Sequence, residues 1–179
     1  DDNYVLDPNL FFEAVQFLEK NRHCAILGCL SGVNFYPRGT RLSGPGQIAC
    51  TENETYWRQD TRADPSLAHK FFQVDACMRG PLLLRKSFLD KYGLLDEIYA
   101  PLYQDDMDIC FRAQHVGFKV YCMLGKVENR SLTMAHYDAE KNRFFHAVMK
   151  RNTDIFYSRW TPSTVKDYSW IYRTPIAEC

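Results

Sequence analysis

The sequence predicts an α/β protein with a mixed sheet flanked by helices. Short apolar runs at 24–30, 70–78 and 119–123 have the length and continuous hydrophobicity of buried strands. Segments at 9–20, 86–92, 105–116 and 138–157 instead repeat their apolar residues at helical spacing. The two kinds alternate along the chain, an order that lays helices against a sheet. With 179 residues and 46% hydrophobic content, the chain suits one ordinary core.

The first helix begins after Asp7-Pro8, with Asp7 or Asn9 as its cap and Leu10, Phe11, Ala14, Val15 and Leu18 on one face. Cys24 to Cys29 then form a short buried strand. From Tyr36 to Ala68 the pattern dissolves into Pro, Gly, Thr and charge, so a long loop is expected there. A strand rich in small residues follows, then the apolar run Leu82-Leu83-Leu84 and an amphipathic helix closed by Gly93. After the strand at 119–123, Gly125 begins a turn. The last long helix points Phe144, Phe145, Val148 and Met149 inward, and Lys141, Arg143, Lys150 and Arg151 make a solvated basic face. Residues 158–179 form an aromatic extension with two prolines, set apart from the body at 1–157.

Net charge is zero and no basic run appears, which argues against a nucleic-acid partner. No apolar stretch has the length of a membrane span. Seven cysteines are scattered without a metal-binding spacing, and Cys24, Cys77, Cys110 and Cys122 lie in apolar runs that suit reduced thiols. The expected compartment is therefore the cytoplasm. Sequons at Asn53 and Asn129 keep a Golgi or secretory lumen as the alternative.

The chain is organised around Tyr103-Gln104-Asp105-Asp106-Met107-Asp108-Ile109-Cys110-Phe111-Arg112. Three carboxylates fall at the start of a helix, where the unpaired N–H groups and the macrodipole favour negative charge. Upstream lie Arg85, then Phe88 or Leu89, Gly93, and Asp96-Glu97. In this order and spacing, the series resembles the C-terminal half of family 2 inverting glycosyltransferases, which have the GT-A fold. Their pattern is "R-x-x-F-x-x-x-G-x-x-D-E" followed by "E-D-x-D-l-c-x-R". The resemblance covers most of residues 1–150 and fades beyond.

The resemblance implies a sugar transferred from a nucleotide-diphospho-sugar donor to a hydroxyl of a glycan or glycoconjugate, by one displacement with inversion. Asp106 matches the family's catalytic base and Asp105 its preceding acid; Asp108 falls where it caps or holds a loop donor. Counting back from Asp7-Pro8 sets Asp1-Asp2-Asn3 on the D-x-D positions, with Asn3 in place of the second acid. Such a motif holds Mn²⁺ or Mg²⁺ through oxygen ligands, here Asp1 and Asn3, with Asp2 beside the donor. The family's "V-x-H" histidine is replaced in Val127-Glu128-Asn129, leaving His136 as the nearest substitute ligand. Asp75, Asp96 and Arg112 are candidates for binding donor or acceptor. Trp57 either stacks on a sugar face or pins its loop. The family's preceding βαβ half, which holds the nucleotide base, is expected before residue 1. Two other classes stay open: a catalytically inactive sugar-binding or scaffold module of the same fold, and a metal-dependent phosphodiesterase or nucleotidyltransferase.

Overall fold

The computed structural model describes residues 3–29, 31–35, 47–50, 54–58, 70–78, 80–123, 125, 127–129 and 138–160. Its elements run β1 (Asn3–Val5), α1 (Leu10–Lys20), β2 (Cys24–Gly28), β3 (Ser31–Phe35), β4 (Gln47–Cys50), β5 (Glu54–Arg58), β6 (Phe71–Val74), β7 (Ala76–Met78) and β8 (Leu82–Leu84). They continue with α2 (Lys86–Tyr92), a short 3-10 helix (Glu97–Tyr99), α3 (Asp105–His115), β9 (Lys119–Met123), β10 (Val127–Asn129) and α4 (Ala139–Arg159). The protein is thus a mixed α/β structure. Among the described residues, no helix is long and apolar enough to cross a membrane.

The central sheet has the order β6-β9-β2-β8. β2 and β9 are parallel, while β8 and β6 run antiparallel to their neighbours. All five residues of β2 are buried, as the continuous apolar run predicts for a strand covered on both faces. On one face, Ile26, Val74, Val120 and Cys122 pack with Ile109, Cys110 and Ala113 of α3, Phe88 of α2 and Phe156 of α4. On the other, Leu27, Tyr121 and Met123 pack with Leu10 and Ala14 of α1, and the Phe17 ring stacks on Phe71 at 4.0 Å.

α1 is rotated from the expected face. Leu10 and Ala14 are buried, with Phe17 and Leu18 packed beside them, whereas Phe11, Phe12 and Val15 are exposed. Its start is fixed by Asp7, whose Oδ1 accepts from the Asn9 backbone N–H at 2.9 Å. α4 is also turned: Val148, Asn152 and Phe156 face inward and Phe144 is exposed.

The expected strand 70–78 breaks at Asp75. β6 stays in the central sheet, but β7 joins a second sheet of order β4-β5-β3-β7. That sheet occupies part of the segment read as a long loop, because antiparallel pairing orders residues whose own propensity is weak. β2 likewise leads into β3 of the second sheet. The crossings touch where side chains are smallest. A Cβ on Gly28 would lie 2.6 Å from the Cys77 sulfur, and one on Gly32 would lie 2.6 Å from Val74 Cγ1. β1 pairs with β10 as a separate two-stranded ribbon.

Overpacking at this crossing gives a first expected outcome. Gly28→Ala should destabilise the fold by about 1–3 kcal/mol; an unchanged midpoint in chemical denaturation would contradict the close approach. Burial also raises the Cys24 and Cys29 thiols from the ordinary 9.0 to about 12. The folded values exceed the unfolded ones, so their contribution is complete below pH 9 and is lost as the pH rises toward 12. Stability should therefore fall above pH 9, and alkylation at pH 8, mapped by mass spectrometry, should spare both thiols until the chain unfolds.

Candidate functional site

The acids at the start of α3 are delivered by an unusual turn. Tyr103 and Gln104, neither of them glycine, both have left-handed backbones, with φ of 79° and 73°. Such conformations cost on the order of 1–3 kcal/mol each and persist only where the surroundings impose them. Here the restraint comes from α4. The Asn152 amide, fully buried, donates to the carbonyls of Tyr99 at 2.7 Å, Leu102 at 2.6 Å and Tyr103 at 3.2 Å. Beside it, Arg151 donates to the carbonyls of Ala100 at 2.7 Å and Ile98 at 3.2 Å. Arg151 belongs to the basic face expected to be solvated; it is exposed, as are Lys141, Arg143 and Lys150, and it also clamps the loop entering α3.

The turn splits the acid cluster. Asp108 points inward and is 2% exposed. Its Oδ1 accepts from the Tyr99 hydroxyl at 3.0 Å, the Trp160 indole N–H at 2.8 Å and Arg159 Nη1 at 3.4 Å, and Arg112 Nη2 lies 3.7 Å from Oδ2. These donors satisfy the oxygens of a carboxylate held out of water, which offsets the cost of burying it. Burial, then the Asp108 charge, pushes the Tyr99 hydroxyl well above the usual phenol range, so it stays a donor. Asp105 and Asp106, by contrast, are only partly buried, and Asp106 Oδ1 accepts from the Met107 N–H at 2.9 Å. Two adjacent carboxylates therefore reach the surface from a rigid helix end. Beneath them Gln104 is 3% exposed, and its Oε1 has no hydrogen-bond partner.

The other candidates separate. Asp96 stands close to the cluster: it caps the 3-10 helix through the Ile98 N–H at 3.0 Å and pairs with Arg159 at 2.8 Å. That backbone bond first, then Arg159, holds its carboxyl below the usual range. Arg112 binds the carbonyls of Tyr92 at 2.8 Å and Leu94 at 2.6 Å, so its guanidinium serves the framework at the end of α2 rather than an open surface. Asp75 is 4% exposed, and its carbonyl accepts from Gln114 near the other end of α3. That places it about 13 Å along the helix from Asp105, so the structure does not bring Asp75 to the acids. The Trp57 backbone lies on β5, opposite Gly32, rather than in a loop; its side chain lies outside the described residues. Asp1, Asp2 and His136 also lie outside them.

Of the expected metal ligands only Asn3 is described, at the start of β1 opposite Asn129. Among the described residues, no three His, Cys, Asp or Glu side chains come together to hold an ion. One amide does not by itself make a Mn²⁺ or Mg²⁺ site. Tyr99, Asn152, Arg159 and Trp160 gave no local sequence signal, since each meets its partner only through the tertiary fold. No protein-family model matches the chain, and no curated protein matches it.

Removing the buried carboxylate should unsettle the whole arrangement. Asp108→Ala leaves the Tyr99 hydroxyl and the Trp160 indole N–H without their acceptor, and takes from Arg159 a carboxylate partner while Asp96 remains. It should cost about 1–3 kcal/mol for each buried donor left unsatisfied. The same substitution at partly exposed Asp105 should cost less than about 1 kcal/mol. Equal losses in melting experiments would refute the inward and outward division.

Proposed function

We propose that this chain is the metal- and acceptor-binding part of a GT-A-fold, family 2 inverting glycosyltransferase. It transfers a hexosyl or deoxyhexosyl group from a nucleotide-diphospho-sugar to a hydroxyl of a glycan or glycoconjugate. The observation that carries the reading is the division of the acid cluster. Asp108 is a buried anchor, while Asp105 and Asp106 stand at the surface on a turn held in a strained backbone. Strain retained beside titratable groups is characteristic of functional sites. The mixed sheet with helices on both faces is compatible with the GT-A fold, and the ordered residues from Arg85 to Arg112 support the family.

In this mechanism Asp106 accepts the proton of the acceptor hydroxyl, with Asp105 beside it. The acceptor oxygen attacks the anomeric carbon as the bond to the diphosphate oxygen breaks on the opposite face, and the nucleoside diphosphate leaves with the electron pair. The helix N-terminus favours the ionised carboxylate that a base requires, at the expense of some basicity. In this reading Asp1, Asn3 and His136 would hold Mn²⁺ or Mg²⁺, which would supply charge stabilisation for the leaving diphosphate. Asp2, Asp96 and Trp57 are proposed to line the donor and acceptor positions. A cytoplasmic location belongs to the same reading.

Asp106→Asn should leave the melting temperature nearly unchanged, since Asn also suits a helix start. Sugar transfer should fall by about two to four orders of magnitude, the usual contribution of a positioned base. Asp108→Asn should lose stability and far less rate. The assay uses labelled sugar nucleotides with acceptor, with and without Mn²⁺. Transfer by Asp106→Asn at near the wild-type rate would overturn the assignment, and release of nucleoside monophosphate would favour a phosphodiesterase.

A further inference from the structure

A cleft of about 290 Å³ opens at the opposite end of α3 from the acids, between the end of α1 and the first residues of β2 and β9. Lys20, Arg22, His23 and Lys119 line it with Asn21, Cys24 and Tyr121, and none of the described residues lining it is a carboxylate. Lys119 begins β9 just beyond the C-terminus of α3, about 15 Å along the helix axis from Asp105. Two backbone restraints hold the cluster together. The Lys119 N–H donates to the His23 carbonyl at 2.7 Å, and Cys24 and Lys119 are register partners in the parallel β2–β9 pair.

Basic side chains at the end of a helix ordinarily serve its unpaired carbonyls. Here another residue already does so. Arg85 donates to the carbonyls of Leu18 at 2.6 Å, Asn21 at 3.1 Å and Cys24 at 2.7 Å. The Asn21 backbone and side chain both donate to the Phe17 carbonyl. Among the described residues, Lys20, Arg22, His23 and Lys119 have no carboxylate partner. Four basic residues thus border one cleft without a carboxylate partner among the described residues, in a chain of zero net charge.

We propose that this cleft binds the phosphate group of a small phosphorylated molecule. A phosphate presents several acceptor oxygens and up to two negative charges, which suits a cleft bordered by one arginine and two lysines. The volume admits a phosphate with a small organic remainder. The site is separate from the acid cluster and does not depend on the activity proposed for it.

The test is titration of the isotope-labelled full chain with inorganic phosphate and with glycerol 3-phosphate, at an ionic strength held constant with chloride. Saturable amide shifts centred on Arg22, His23, Cys24 and Lys119 are expected. In Arg22→Gln and Lys119→Gln, binding should weaken by roughly tenfold each, as for loss of a charged hydrogen-bond partner, with melting temperatures unchanged. Both side chains are exposed, so folding is not at risk; if a variant did unfold, the wild-type shift map would still decide. Non-saturable shifts, shifts centred elsewhere, or variants that bind as well as wild type would each overturn the proposal. A lipid headgroup is the other source of such a phosphate. Vesicles of phosphatidic acid in phosphatidylcholine should bring down no more protein than phosphatidylcholine alone. Capture on the acidic vesicles, in a form that free phosphate fails to compete, would overturn the small-molecule assignment.

Discussion

The architecture around the acid cluster depends on one buried carboxylate. Asp108 draws donors from three separate segments: Tyr99 in the loop before α3, Arg112 within α3, and Arg159 with Trp160 at the end of α4. A carboxylate out of water is costly unless its oxygens are satisfied, so none of these segments can drift without exposing that cost. Arg159 extends the network to Asp96 and lies over the Tyr99 ring at 5.5 Å, joining loop and helix a second time. The position of Asp105 and Asp106 is thus set by interactions made by Asp108, three and two positions on.

This division of labour bears on how a short acidic run should be understood. Successive residues on a helix point about 100° apart, so Asp106 and Asp108 face nearly opposite ways, while Asp105, one position further back, sits at the start of the first turn on the side nearer Asp108. Asp108 faces the core and draws its donors from three segments, whereas Asp105 and Asp106 are only partly buried. The inward residue is decided by the apolar stripe of Met107, Cys110 and Phe111, all buried, which turns Asp108 toward the body. Composition alone would treat the three acids as equivalent.

Much of the fold could be read from local pattern, and the failures have physical causes. α2 has the expected bounds because Gly93, with φ of 82°, ends it sharply. β2 and β9 stand out as apolar runs because both lie in the buried centre of the sheet. β3, β4 and β5 have no such run; their order comes from pairing with each other, which no single segment records. The break at Asp75 went unseen because hydrophobicity continues on both sides while the chain changes sheets. Within the site, the distinct role of Asp108 was legible from its place on the helix. Asn152 and Trp160 were not, because the indole and Asp108 are 52 residues apart and only folding brings them together.

The strand crossings at Gly28–Gly32 and at Asp75 also govern how the molecule comes apart. Two stretches of chain lead from the central sheet into the second one, with Gly28 packed on the Cys77 side chain and Gly32 on that of Val74. Neither sheet has a surface along which it can peel from the other, because the boundary is made of continuous backbone. Fraying of the second sheet therefore pulls on β2 and β6 in the buried centre, and the two layers open as one cooperative unit rather than as independent foldons.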